Sequence, residues 1–280
     1  MEKWRDIYTE KQLKTVQEIE RKNLSVMTEV CEKLGIDFFA YGGTLIGAVR
    51  HKGFIPWDDD LDVALPRKDY MTFAKKAKEI LPKEYYLQTP YEDKKSPFPY
   101  MKLRLKGTKY AEYGHSKLDI EQGVYIDIYP IDNLPSDFEL FKKQHKKFQT
   151  LVKLFAIRQC PYLNNSKKTA KTRVKSVFKY IGSLFAKLIP HDYLVKKIDE
   201  VSTMYNNEQT GKFGNLYYPK PANCYNSIYP LVEGEFDGQK IMLQNDWENH
   251  LKSRYGNYLE LPPEEKRCGH KPYDLKLPND

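Results

Sequence analysis

Cysteine is scarce in this chain: Cys31, Cys160, Cys224 and Cys268 stand far apart and form no CxxC pair. That excludes a disulfide scaffold and the common cysteine zinc motifs, and it fits a reducing cytosolic setting. Long apolar runs are missing as well. No uncharged stretch approaches the roughly 20 residues that span a bilayer, so any membrane contact is expected to be peripheral. The N-terminal stretch, charged throughout, shows no apolar core of an export signal. Internal repeats and low-complexity tracts are also absent from the sequence, which leaves an ordinary globular chain.

What is present fits that reading. Hydrophobic residues make up 40% of the 280 positions and aromatics 14%, enough to bury a core in one large domain or two small ones. Tyrosine is frequent at 22 residues, and its apolar body with a polar tip suits wet, sugar-lined or interfacial surfaces as well as cores. The formal charge of +8 favours an anionic partner: nucleic acid, an acidic leaflet or a phosphorylated substrate. That charge is concentrated. Residues 141–200 hold fifteen Lys/Arg against three Asp/Glu, a net +12 that exceeds the whole-chain value, so the remainder is slightly acidic.

Apolar spacing predicts a helical region from Ile7 to Leu34, stopped by Gly35. A short strand at 37–41 then leads through Gly42-Gly43 into a helical turn. A second strand, Leu61 to Leu65, is closed by Pro66 and followed by a helix from Lys68 to Ile80. Further strands are expected at Tyr85–Gln88, Tyr100–Leu105 and Val124–Tyr129, a loop-dominated segment from Asn206 to Ile228, a helix from Ile241 to Tyr255, and a proline-punctuated tail. Interleaved helices and strands imply an α/β (α+β) fold, a mixed sheet flanked by helices with a basic helical insertion. The expected organisation is a catalytic core with its N-terminal helical region in 1–140, the basic insertion in 141–200, and a segment completing the core in 201–280. Within the insertion, Val174, Val177, Phe178, Ile181, Leu184, Phe185, Leu188 and Ile189 keep helical spacing, with Lys171, Arg173, Lys175, Lys179 and Lys187 largely on other faces. Such a helix either lies on an anionic leaflet or packs on its own domain.

The densest chemical signal is Asp58-Asp59-Asp60-Leu61-Asp62. Carboxylates packed this closely repel one another unless a cation sits among them. In a strand, Asp60 and Asp62 point to the same face, and paired oxygen ligands suit Mg²⁺ or Mn²⁺ completed by substrate phosphates. A solvated acidic turn is the bland alternative, but the flanking Ile55-Pro-Trp57 and Val63-Ala-Leu65 are too apolar for an ordinary exposed loop. Asp127, set among apolar residues in Val124–Tyr129, is either a further acid of the same site or a hydrogen-bonded structural aspartate. Gly42, Gly43 and Thr44 lie at a strand-to-helix junction where backbone N–H groups can approach phosphate. Arg50 and His51 follow one helix later, and form either phosphate-binding cations or an exposed helix end. Lys102 and Arg104, two apart on one strand face, are expected to add positive charge near the phosphates.

The run from Tyr41-Gly-Gly-Thr through Phe54-Ile-Pro-Trp-Asp-Asp-Asp-Leu-Asp-Val63 closely resembles the signature of the LicD family of phosphorylcholine transferases. Two other segments are similar to that family: Gly123-Val-Tyr-Ile-Asp-Ile-Tyr-Pro130, and Tyr255-Gly-Asn-Tyr258 with Leu261-Pro-Pro-Glu-Glu-Lys-Arg267. The basic stretch between Leu140 and Asp199 matches no motif. The resemblance implies a nucleotidyltransferase-like fold and transfer of phosphocholine, or a related alcohol phosphate, from a CDP-activated donor to a cell-surface or lipid-linked glycan, with release of CMP. Carried over by position, it implies Asp58, Asp60 and Asp62 as metal ligands, Gly43, Arg50 and Trp57 in the donor pocket, and Asp127 on a third acidic strand. Lys266 and Arg267 of the terminal motif join the expected substrate contacts. The catalytic acids are then Asp60, Asp62, Asp127 and Asp58, working in the cytoplasm, peripherally at the inner membrane face. Two rivals keep part of this picture: nucleotidyl transfer from an NTP, and a non-catalytic basic membrane or nucleic-acid binder. The second leaves the acids unexplained, and no nucleic-acid partner is expected.

Overall fold

The computed structural model describes residues 9–161, 170–217, 227–267, 269–270 and 272–278, the side chains of 170–172 apart. Cys31 and Cys160 are buried free thiols; Cys224, Cys268, the Lys171 side chain and the expected helix start at Ile7 lie outside the described residues.

Helix α1 spans Glu10–Leu34. It begins with a capping box, in which the Thr9 hydroxyl accepts the Gln12 N–H while the Gln12 side chain accepts the Thr9 N–H. Gly35 ends it in the left-handed region, at φ 63°. Strand β1 is only Phe39–Ala40, shorter than its apolar run. Helix α2 (Gly42–Ile46) continues as a π-helical turn, Gly47–His51. Strand β2 (Asp62–Pro66) leads into α3 (Arg67–Lys76). Then come β3 (Tyr85–Gln88), β4 (Met101–Leu105), β5 (Lys109–Glu112) and β6 (Tyr125–Asn133).

The main sheet has the order β1-β2-β6-β4-β3, with β2 and β6 parallel and the other neighbours antiparallel. It is the mixed sheet expected from the sequence. Side chains alternate as a pleat requires. Val63, Leu65, Ile126 and Ile128 enter a core with Leu24 and Met27 of α1 and Phe73 of α3, while Asp62, Ala64, Asp127 and Tyr129 turn the other way. Strand β6 outruns its expected end at Tyr129. Alternate N–H groups of β6 face β2, as when Asp127 N–H donates to Leu61 O at 2.9 Å, so Pro130 would direct its missing donor toward β4. That strand has already ended, pairing no farther than Met101 with Ile128, and the proline breaks no ladder bond.

Helices α4 (Phe138–Gln159), α5 (Ala170–Ala186) and α6 (His191–Ser202) form the basic segment. It has its own apolar cluster, in which Phe141, Phe148 and Phe155 meet Leu194, Ile198 and Val201. Strand β7 (Phe213–Gly214) pairs with the end of β6. The expected helix from Ile241 needs correction. Its first residues form β9 (Gln239–Leu243), paired with β8 (Val232–Phe236), and only Trp247–Tyr255 is helical, as α7. The cause is the turn Asp237-Gly238, both at positive φ (48° and 75°), the signature of a tight hairpin. The tail, too, is more than a proline-punctuated coil: β10 (Pro272–Lys276) pairs with β5 in a separate two-stranded sheet.

Candidate functional site

The parallel register sets Asp62 directly beside Asp127, and the antiparallel register sets Lys102 beside Asp127 on its other side. Three charged side chains thus form one row across β2, β6 and β4. The middle one is held: Lys102 Nζ lies 2.7 Å from Asp127 Oδ1, and the Tyr100 and Tyr129 hydroxyls reach its Oδ2 at 3.4 and 3.3 Å. Lys102 is only 1% exposed and sits 3.5 Å from the Tyr125 ring centroid and 4.3 Å from that of Phe98. Its role in the structure is to balance a buried carboxylate. Arg104 is likewise buried, donating to Gln88 Oε1 and Gly123 O, both at 2.9 Å. The two share a face, as alternation required, but both side chains are closed to water, and Arg104 is not set toward an open phosphate site.

Opposite Asp62 lies the start of α2. Gly42 has φ +53°, and a Cβ there would come within 2.6 Å of Asp62 Oδ2; one on Gly43 would come within 2.9 Å of Asp58 Oδ2. The glycine pair is therefore what lets these carboxylates approach the backbone. Thr44 is turned inward, its hydroxyl accepting the Asp62 N–H at 2.8 Å. The acidic loop is fixed elsewhere by a turn, Asp58 N–H to Ile55 O at 2.9 Å, and by Gln17 of α1, which donates to Asp58 O at 2.8 Å.

Burial, then the charge of Asp60, pushes the Asp58 carboxyl well above its ordinary value. Burial, then Asp60 and Asp127, does the same to Asp62, and burial also raises Asp60. Glu20 of α1 joins them. It is 2% exposed, its Oε2 has no hydrogen-bond partner, and burial followed by the charges of Asp60, Asp59 and Asp58 raises it strongly. Sequence reasoning missed Glu20, although a glutamate on the apolar stripe of α1, one residue after Ile19, was a visible signal.

Asp59 also has a clear position. It is 1% exposed, accepting the Tyr110 hydroxyl at 2.9 Å on Oδ2 and the His270 N–H at 2.8 Å on Oδ1. His270 Nδ1 lies 3.2 Å from the same oxygen, and this contact, with Asp60 beyond it, pushes the imidazole up to about 10 against the opposing effect of burial. Ligand atoms of Asp59, Asp60 and His270 all lie within 4.8 Å of one another, a group able to hold a metal. The trio expected from the sequence was Asp58, Asp60 and Asp62. In the charged form His270 is a counter-ion to the loop, and ligation would require it to lose its proton.

The remaining expected residues form a basic bank beside the loop. Arg50 donates to Tyr258 O at 2.8 Å and to His51 Nε2 at 2.9 Å. Burial lowers the pKa of Arg50, and the nearby Arg267 lowers it further; burial also lowers His51. The Arg267 guanidinium lies 5.0 Å from the Trp57 ring centroid and donates to Pro262 O. Lys266 lies on an exposed single turn, Glu264–Lys266. The sequence thus brings Arg50, His51, Trp57 and Arg267 together from segments two hundred residues apart.

Comparison with known proteins adds three findings. Residues 35–150 match the family model described as LicD/FKTN/FKRP, nucleotidyltransferase domain. Over 247 residues the chain is 27% identical to the lipopolysaccharide cholinephosphotransferase LicD of Haemophilus influenzae, covering 86% of this chain and 89% of that protein. It is 32% identical over 162 residues to an uncharacterized protein of Rickettsia typhi, covering 52% of this chain and 46% of that one.

Proposed function

The chain carries a LicD-family nucleotidyltransferase domain in residues 35–150, and on that premise we propose that it moves phosphocholine, or a related alcohol phosphate, from a CDP-activated donor to a glycan hydroxyl. One observation carries the reading: carboxylates crowded against a glycine turn without enough positive charge to balance them, next to paired arginines. Such a site suits a cation and offers an anion subsite.

A divalent cation, Mg²⁺ or Mn²⁺, fits this donor set. The acids are hard oxygen ligands, their proton affinities are raised by burial and then by one another's negative charge, and side chains at Gly42 and Gly43 would fill the space. Asp60 and Asp62, with Asp58, would hold it. When bound, it would offset the negative charge of the donor diphosphate. Arg50 and Arg267 contribute fixed positive charge to the phosphates, and Trp57 braces Arg267. The acceptor hydroxyl attacks the β-phosphorus, the bond from that phosphorus to the CMP oxygen breaks, and CMP leaves. Asp58 and Asp127 are the candidate acceptors of the hydroxyl proton. Tyr100, Tyr129 and Tyr217, with ring centroids 4.6–5.7 Å apart beside Asp127, are suited to a quaternary ammonium by cation–π contact. The lipopolysaccharide acceptor named for the relative extends this to a lipid-borne glycan, met at the cytoplasmic face of a membrane.

The test is donor turnover. The purified chain with Mg²⁺ should be stabilised by CDP-choline in a thermal-shift panel against CDP-ribitol, CDP-glycerol and NTPs, and should release CMP in the presence of acceptor glycan. Asp60→Asn and Asp62→Asn should lower CMP release by roughly 10³-fold with the fold intact. Full activity in either variant overturns the assignment, and pyrophosphate release from an NTP replaces the reaction with nucleotidyl transfer.

A further inference from the structure

Helix α5 is amphipathic in the reverse sense for a water-soluble protein. Its inward seam is small and polar. Ser183 and Ala186 are buried, and Gly182 faces Ile157 of α4 closely enough that a Cβ would rest 3.8 Å from Ile157 Cγ2. The Ser183 hydroxyl is satisfied within the helix by Tyr180 O at 2.6 Å. The large apolar residues point out. Phe178, Phe185 and Leu188 are 70%, 68% and 80% exposed, and Val174, Val177 and Ile181 continue the stripe at three- and four-residue steps. At ~1.5 Å per residue this surface is about 21 Å long. A patch of this kind on a soluble monomer marks an interaction surface.

Charge identifies the occupant. Exposed Arg173, Lys175 and Lys187 flank the stripe, α5 has no acidic residue, and residues 141–200 carry a net +12. A second copy placed face to face would oppose two such segments, whereas an anionic surface complements one. No helix among the described residues is long and apolar enough to cross a membrane. We propose that α5 lies in the plane of an anionic lipid bilayer, its phenylalanine stripe among the acyl chains and its basic residues at the headgroups. The donor chemistry proposed above is not needed for this inference, and vesicle binding reads no catalysis, so either can fail alone.

The experiment is flotation of the full chain with vesicles of equal parts phosphatidylcholine and phosphatidylglycerol, and with phosphatidylcholine alone. The expected result is about tenfold more protein recovered with the anionic vesicles, reduced by high salt. Phe178→Ser/Phe185→Ser/Leu188→Ser should lose about tenfold while keeping the wild-type melting temperature, since these side chains are largely exposed. Lys175→Glu/Lys187→Glu should lose binding without altering the apolar stripe, so a folding fault in one variant does not mask the result. Failure of the wild-type chain to float with anionic vesicles overturns the proposal. So does wild-type flotation by the serine variant, or a dimer that the serine variant abolishes.

Discussion

The two ends of the parallel β2–β6 pair each carry carboxylates, and they are treated in opposite ways. Where β2 begins, Asp62 stands beside Asp127 and faces Asp58 and Asp60, with Lys102 shared between Asp127 at 2.7 Å and Glu112 at 3.6 Å. Where the strands finish, Asp132 is gripped by Arg67, whose Nε donates to its Oδ1 at 2.8 Å and whose second arm reaches Asp199 at 3.0 Å. Asn206 adds a further donor at 2.7 Å. The attraction of Asp132 and Asp199 outweighs the burial of the Arg67 guanidinium and raises its proton affinity. At this end the fold supplies its own counter-charge. At the other the carboxylates outnumber the cations beside them, and the proposed metal binding rests on that imbalance.

The sharpest way to break this comparison is to remove charge from each end. Arg67→Met strands the buried Asp132 and the half-buried Asp199 and should cost about 3–5 kcal/mol of stability, read as the midpoint of chemical denaturation. Asp62→Asn should act in reverse on the metal-free protein, raising stability by on the order of 1–2 kcal/mol because it relieves a repulsion. If both variants destabilise alike, the acids near Gly42 are structural and the contrast is false.

A pH series sharpens the same point. Asp58, Asp60, Asp62 and Glu20 have raised folded-state values, so their contribution is full below the ordinary carboxyl range and is lost as pH rises through the raised values. Glu112 works the other way. Burial acts to raise it, but Lys102 and His115 outweigh burial and depress it, so its contribution is present above the ordinary range and is lost in acid. Melting temperature in chelator should therefore fall as pH rises above the ordinary carboxyl range, and millimolar Mg²⁺ should flatten that fall. A slope indifferent to Mg²⁺ would separate these acids from metal binding.

Much of this was legible in the chain. Charge packed between Trp57 and Val63 announced a site, and period-two alternation placed Lys102 and Arg104 on one face. Alternation does not say whether that face meets water, so their burial against Phe98 and Tyr125 was hidden. The partners of Asp59 were hidden for another reason: Tyr110 and His270 are remote in sequence, and only the β5–β10 pairing brings them to it. Helical spacing likewise revealed two sides of α5 without saying which faces out. By contrast the Asp237-Gly238 turn was readable, and its neglect produced the misplaced helix start at Ile241.

The smallest expected effect concerns Thr44, which the sequence suggested as a phosphate contact and the structure turns toward Asp62. Its hydroxyl is the acceptor for the Asp62 N–H in a buried position, so Thr44→Val keeps the shape and leaves that amide without a partner. The cost should be about 1–3 kcal/mol. Because this bond fixes the first residue of β2, its loss should also loosen the carboxylate, lowering kcat several-fold while leaving the donor KM nearly unchanged. A direct phosphate contact would raise KM instead. Thr44→Ser, which preserves the oxygen, should recover both stability and kcat; if it recovers neither, the hydroxyl is not what positions Asp62 against the glycine turn.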